Sequence, residues 1–142
     1  IFVYIMIEFI NMPVVLDKKR IKTWLIHSAI VYNASIDKLL YSFVTREHLL
    51  SLNLKYLNHN TDTDILTFSY GEVPKIMSEI FICVETAEDN AKKYSQTTDS
   101  ELIRLISHGF LHSIGFLDKT PDEKKNMIQE EENMINMFHV KH

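Results

Sequence analysis

The chain has 142 residues, of which 46% are hydrophobic and 24% are charged, and its formal net charge is −4 at pH 7. This composition is typical of a globular protein and argues against a disordered or membrane-embedded chain. The length predicts a single domain over residues 1–142, and the negative charge disfavours non-specific nucleic-acid binding through the whole surface.

The first half of the chain predicts two strands and two helices. Residues 2–9 are rich in β-branched and aromatic types and are predicted to form a buried strand. Asp17 is the expected N-cap of a helix that runs to about Tyr32. A second strand is predicted over residues 36–44, followed by a short helix over residues 45–56.

The second half predicts two further strands and three helices. The segments ILTFSY (residues 65–70) and EIFICV (residues 79–84) have strand patterns, and residues 87–94 are predicted as a helix. Two adjacent strands followed by a helical tail indicate an α+β fold. We expect a small mixed β-sheet of about four strands with helices packed on it, including a zincin-like metal-binding helix.

Two segments have the composition of a capping box, in which a hydroxyl and a carboxylate three residues apart bind backbone amides at a helix start. Thr98 and Glu101 are predicted to cap the helix that carries two histidines. Thr120 and Glu123 repeat this pattern, with proline between them, for a last helix that ends near Phe138.

The segment SHGFLHSIGFLDKT (residues 107–120) is the strongest chemical signal in the chain. His108 and His112 are four residues apart and therefore share one face of a helix. Gly109 is expected to be a glycine because another backbone or a substrate approaches closely there. Gly115 at the helix end is expected to reverse the chain and bring Asp118 beneath the two imidazoles.

Two histidines and a carboxylate leave a fourth position open, as in catalytic zinc sites. The position after the first histidine carries glutamate in zinc peptidases, and Gly109 occupies it here, which disfavours peptidase chemistry. Two histidines at this spacing are also common without a metal, one lying on the surface and the other in the core. The spacing alone leaves both interpretations open.

The motif HGFLHSIGFLD resembles the signature of the YbeY-type endoribonucleases, the rRNA maturation factors, whose pattern is roughly H-G-x-L-H-x-x-G-Y-D-H. Upstream, LNLKYLNHNTDTDILTF resembles the family's L-N-x-x-Y-R…T-D-V-L-S-F, and SEIFIC resembles its G-D-I-x-I strand. The resemblance covers roughly residues 50–135. It implies one zinc ion per chain, held by His108, His112 and Asp118, with Asp118 at the position of the family's third histidine.

The resemblance also implies a function: single-strand-type endoribonuclease activity in rRNA maturation and ribosome quality control, with metal-activated water as the nucleophile. Asp64 and His59 are the candidate catalytic residues. Asp64 matches the upstream acid of the family and is assigned a structural or orienting role, a base role being the weaker alternative. Leu57 replaces a basic residue, and His59 could supply part of the missing charge. The expected partners are rRNA and ribosomal particles, with no membrane partner.

Two other functions stay open on the sequence alone. One is a zinc hydrolase of another substrate, because the site does not by itself specify phosphodiesters. The other is a non-catalytic ribosome-associated factor that is stabilised by its metal.

The lone cysteine, Cys83, is expected to be a small buried hydrophobic residue, and it favours a reducing, cytoplasmic location. The basic run at residues 18–22 is interpreted as a solvated helix face more readily than as an RNA-binding patch.

Overall fold

The computed structural model describes residues 5–57 and 63–140. The strands are β1 (Met6–Ile10), β2 (Ser35–Val44), β3 (Ile65–Ser69) and β4 (Lys75–Cys83). The helices are α1 (Lys18–Val31), α2 (Arg46–Leu57), α3 (Val84–Lys93), α4 (Thr98–Ser113) and α5 (Pro121–His139). Within these residues, no helix is both long and apolar enough to cross a membrane.

The four strands form one mixed sheet in the order β1-β2-β4-β3. β2 pairs in parallel with β1 and β4, and β3 pairs antiparallel with β4 at the sheet edge. The predicted α+β fold with a mixed four-stranded sheet is therefore confirmed, while the likeness of α4 to a zincin helix stays a prediction. β4 begins at Lys75 and not at residue 79, and α3 begins directly after it at Val84 and not at residue 87.

The core lies between the sheet and the helices that pack on it. Leu102, Ile106 and Phe110 of α4 are fully buried. The Tyr41 hydroxyl on β2 donates a hydrogen bond to the Ile106 carbonyl at 2.8 Å. These contacts hold α4 rigidly against the sheet, so that its remaining face presents the two histidines at a fixed position.

The helix caps agree with the predictions in two of three cases. Asp17 accepts a hydrogen bond from the Arg20 amide, and Thr120 forms the complete capping box with Glu123. The predicted box at Thr98 and Glu101 is wrong, because Thr97 is the N-cap and accepts from the Ser100 amide. Glu101 is buried instead and is paired with Arg104, so its carboxylate is turned away from the helix start.

The basic run lies at the start of α1, where Lys18 and Lys19 are exposed. Arg20 stacks over the Phe138 ring and donates a hydrogen bond to the Phe138 carbonyl, which ties α1 to the end of α5. Cys83 is fully buried at the end of β4, as expected for a small hydrophobic residue.

Candidate metal centre

The two histidines of α4 face each other on successive turns. His108 Nε2 and His112 Nε2 lie 3.0 Å apart, with the two ring planes nearly perpendicular. Both side chains are partly exposed, whereas the residues between them, Gly109, Phe110 and Leu111, are buried. The four-residue spacing therefore places both imidazoles on the open side of α4, as predicted.

Gly109 faces the sheet and not the open side of the helix. A Cβ atom at this position would lie 2.9 Å from both Cγ2 and Cδ1 of Ile80 and 3.4 Å from Cδ1 of Ile65. The expectation that a backbone or a substrate approaches Gly109 is therefore wrong. Glycine is needed because two isoleucine side chains of the sheet fill the space that a side chain would occupy.

The turn after α4 brings the carboxylate of Asp118 to the two imidazoles. Gly115 has φ +101°, a left-handed conformation that residues with a side chain rarely adopt. The amide of Gly115 donates to the His112 carbonyl, and the amide of Phe116 donates to the Leu111 carbonyl. This helix-terminating pattern reverses the chain, so that Asp118 Oδ2 lies 3.2 Å from the Nε2 atoms of both histidines.

Hydrogen bonds on the far side of each ring fix which nitrogen carries the proton. His112 Nδ1 lies 2.9 Å from the Phe116 carbonyl oxygen, which can only accept. His108 Nδ1 lies 2.5 Å from Glu131 Oε2, a carboxylate oxygen. With both Nδ1 atoms donating, the Nε2 atom of each neutral imidazole directs a lone pair toward Asp118.

Three electron-pair donors thus converge on one point without a proton donor between them. Their separations of 3.0–3.2 Å are close to the roughly 3.3 Å expected between ligand atoms of a tetrahedral site with zinc bond lengths. In the described part of the chain, His108, His112 and Asp118 are the one group of three acidic, cysteine or histidine side chains that is close enough to hold a metal ion. The residues present therefore fit a metal ion.

A partly buried charged cluster lies behind the histidines. Arg104 Nη2 lies 2.5 Å from Glu101 Oε1 and 3.8 Å from Asp64 Oδ2, and Arg104 Nη1 lies 3.5 Å from Glu131 Oε1. Burial alone would lower the pKa of the Arg104 guanidinium, but the hydrogen bonds and charge of Glu101, with the charges of Glu131 and Asp64, raise it above its ordinary value. Arg104 is therefore a permanent cation that compensates the surrounding carboxylates.

Neither Glu131 nor Arg104 was assigned to the site from the sequence. A signal for both was present. Glu131 stands four residues after Met127 and three before Met134, which are buried on α5, so this spacing places the glutamate on the same inward face. Glu101 and Arg104 have the i,i+3 spacing of a helical ion pair.

Asp64 directly precedes β3, beside the charged cluster and at the edge of an open cleft. Its Oδ2 accepts a hydrogen bond from Asn90 Nδ2 at 3.2 Å. The cleft has a volume of about 610 Å³, and its polar lining includes Asp64, Thr67, Ser69, His108, His112, Asp118 and Lys119. Asp64 thus reaches the same cleft as the two histidines, whereas His59 falls outside the described residues.

The remaining described histidines are remote from this cleft. His27, His48 and His139 are exposed and do not line it. Leu57, at the position where the resemblance expects a basic residue, lies in the cleft wall. Among the described residues that line the cleft, Lys119 is the only lysine or arginine.

Comparisons with known proteins agree on one family. A sequence model described as Endoribonuclease YbeY matches residues 12–139. The chain is 42% identical over 100 residues to an endoribonuclease YbeY from Flavobacterium johnsoniae, which covers 70% of the chain and 72% of that protein. It is 35% identical over 130 residues to the one from Bacteroides thetaiotaomicron, covering 92% of the chain and 94% of that protein.

One solved structure has a similar fold. A Thermotoga maritima protein determined in solution superposes with a TM-score of 0.65 at 21% sequence identity, covering 94% of the chain and 89% of that protein. At this identity the similarity supports the arrangement of strands and helices and carries no argument about chemistry.

Proposed function

The chain belongs to the endoribonuclease YbeY family, and we propose that it is a zinc-dependent endoribonuclease that cleaves single-stranded segments of rRNA during ribosome maturation. The relatives that carry the name endoribonuclease support RNA cleavage. The site itself supports the metal-dependent part of the proposal. The proposal also includes roles in rRNA maturation and ribosome quality control, and a cytoplasmic location.

One observation carries the proposal: His108, His112 and Asp118 direct three lone pairs to one point beside an open cleft. Two imidazoles and one carboxylate are typical ligands of a catalytic zinc ion, which keeps a further position for water or substrate. We infer one zinc ion per chain at this point. When bound, zinc would polarise a phosphoryl oxygen and lower the pKa of coordinated water.

The protein's own groups have distinct proposed roles. The Glu131 carboxylate and the Phe116 carbonyl hold the two histidines in the tautomer that leaves Nε2 available. Asp64, tethered by Asn90 and lying near Arg104, is proposed to orient substrate or water at the mouth of the cleft. His59 remains a proposed second catalytic residue on the basis of the sequence.

The packing at Gly109 supports a nuclease over a peptidase. Zinc peptidases place a glutamate general base directly after the first histidine. Here the corresponding position points at Ile80, and a Cβ atom would already be too close to two atoms of that side chain. The chain has glycine at this position and therefore lacks the glutamate general base of that peptidase class.

Charge in the cleft bears on the substrate. Asp64 and Asp118 are anionic and would repel a phosphate group, whereas Lys119 on the rim would attract one. A divalent cation among the ligands would reverse the sign of the potential next to Asp118. We therefore propose that RNA enters the cleft productively only after zinc is bound.

The test is cleavage of a structured rRNA fragment that contains single-stranded loops. We expect cleavage by the zinc-loaded chain, loss of cleavage after chelation and recovery when zinc is restored. His108→Ala should be inactive, whereas His48→Ala, an exposed histidine on α2 away from the cleft, should cleave at the wild-type rate.

Equal cleavage by the chelated and zinc-loaded protein would contradict the proposed mechanism. A chain that binds ribosomal particles equally well with and without zinc and never cleaves would favour a metal-stabilised assembly factor. Hydrolysis of a different class of substrate, with no RNA cleavage, would favour the alternative of a zinc hydrolase that acts on another substrate.

A further inference from the structure

Glu131 on α5 contacts both a proposed metal ligand and a guanidinium. Its Oε2 lies 2.5 Å from His108 Nδ1, and its Oε1 lies 3.5 Å from Arg104 Nη1. Only 6% of the side chain is exposed, although the glutamate belongs to an acidic run whose next member, Glu132, is exposed. Glu131 is therefore distinguished from its neighbours by its contacts as well as by its burial.

Burial of a carboxylate is unfavourable unless a cation and hydrogen-bond donors compensate it. Arg104 supplies the compensating charge and is itself held by hydrogen bonds from Nε and Nη2 to the Glu101 carboxylate. Glu101 and Arg104 lie on α4, about two turns and one turn before His108 respectively. The guanidinium is thus anchored on the helix of the histidines and holds Glu131 from α5 against that helix.

We propose that Glu131 is the positioning residue for His108, and that Arg104 holds the Glu131 carboxylate in place for this role. The hydrogen bond to Glu131 fixes both the rotation of the ring and the Nδ1–H tautomer, so that Nε2 faces His112 and Asp118. This inference rests on the metal site of the proposed function. It adds that the site depends on α5, which contributes no ligand.

A purely structural role for Glu131 makes a different prediction. If the carboxylate only ties α5 to α4 through Arg104, its replacement lowers the free energy of unfolding and leaves the metal affinity and the His108 tautomer unchanged. A positioning role requires the metal affinity to fall in the folded protein and, where the hydrogen-bond acceptor is removed, the His108 tautomer to change as well. The measurements are therefore zinc affinity by competition with a chelator of known affinity, and imidazole nitrogen NMR of the metal-free full chain.

Glu131→Met removes the acceptor, and Glu131→Gln keeps an acceptor oxygen without the charge. We expect zinc affinity to fall by roughly 10- to 100-fold in Glu131→Met and by roughly tenfold in Glu131→Gln, because outer hydrogen bonds of metal-bound histidines have effects of this size. The His108 nitrogen signals should show a mixture of tautomers in Glu131→Met. Glu132→Gln makes the same charge change at the adjacent exposed residue and should match the wild type in both measurements.

The outcomes separate the inference from the proposed function. If His108→Ala loses zinc while Glu131→Met and Glu131→Gln bind it with wild-type affinity and keep one tautomer, the positioning role is overturned and the metal site stands. If His108→Ala binds zinc like the wild type, the metal site itself is wrong. If Glu131→Met does not fold, Glu131→Gln decides alone: unchanged affinity and unchanged nitrogen signals overturn the inference, and weaker zinc binding supports it.

Discussion

The close packing of Gly109 against the sheet gives a quantitative prediction for Gly109→Ala. The new Cβ atom would lie 2.9 Å from two atoms of Ile80, which is fully buried and cannot move without displacing its own neighbours. Overpacking of this kind costs about 1–3 kcal/mol. Alanine gains about 1 kcal/mol over glycine in helix propensity. The net expectation is a loss on the order of 1 kcal/mol in the free energy of unfolding.

The assay is urea denaturation of the metal-free protein, so that metal binding does not contribute to the measured stability. The matched background is Ile80→Ala, which removes both of the atoms that the new Cβ would approach most closely. In the Ile80→Ala background, Gly109→Ala should be stabilising by up to about 1 kcal/mol, because the close contact is gone and only the higher helix propensity of alanine remains. A Gly109→Ala protein that is more stable than the wild type, with the same effect in both backgrounds, would refute the packing argument.

Three further predictions concern stability and RNA binding. Thr120→Ala removes the N-cap hydroxyl of α5 and should lower the free energy of unfolding by about 1 kcal/mol in thermal or urea denaturation. An unchanged free energy of unfolding would contradict the role of Thr120 as a cap. Burial raises the pKa of the Tyr41 phenol well above its ordinary value, so stability that is present below about pH 10 should be lost as the pH rises further. Tyr41→Phe should weaken this alkaline loss, and an identical pH profile would refute the cause. Lys119→Gln should weaken RNA binding and lower its salt slope by about one, whereas Lys125→Gln, exposed on α5, should not.

Local chemistry in the sequence was sufficient to predict the elements that depend on it. Asp17 and Thr120 stand in sequence patterns that are typical of helix N-caps. Gly115 follows α4 and has the positive φ that a glycine adopts easily at the end of a helix. The pair His108 and His112 needs nothing beyond the helical repeat to be placed on one face. These features are set within a few residues of the chain, and the structure contains them as predicted.

The errors arose where long-range packing decided the outcome. Thr97 and Thr98 are equally suitable caps by composition, and the structure has the cap at Thr97, with Glu101 buried against Arg104. The role of Gly109 depends on Ile80, a residue of β4 that the sequence does not place opposite the histidine helix.

Glu131 is a further residue whose contacts could not be predicted from its local sequence. Its local sequence is a run of glutamates, for which a solvated helix face is the usual interpretation. Its contact with His108 exists only because α5 folds back along α4 after the turn at Gly115. The three residues that converge at the candidate site could be predicted from one short motif, whereas the contact of Glu131 with one of them required the tertiary structure.

The most direct test of the central claim is the zinc content of the purified chain, measured by elemental analysis beside the same measurement on Asp118→Ala. Asp118 Oδ2 lies 3.2 Å from both Nε2 atoms and completes the group of three, so its removal leaves two ligands, too few for a tetrahedral site. We expect one zinc ion per wild-type chain after loading and dialysis, and almost none in Asp118→Ala. Full zinc content in Asp118→Ala would move the third ligand elsewhere, to Glu123 or His59, and a wild-type chain that retains no zinc would contradict the site itself.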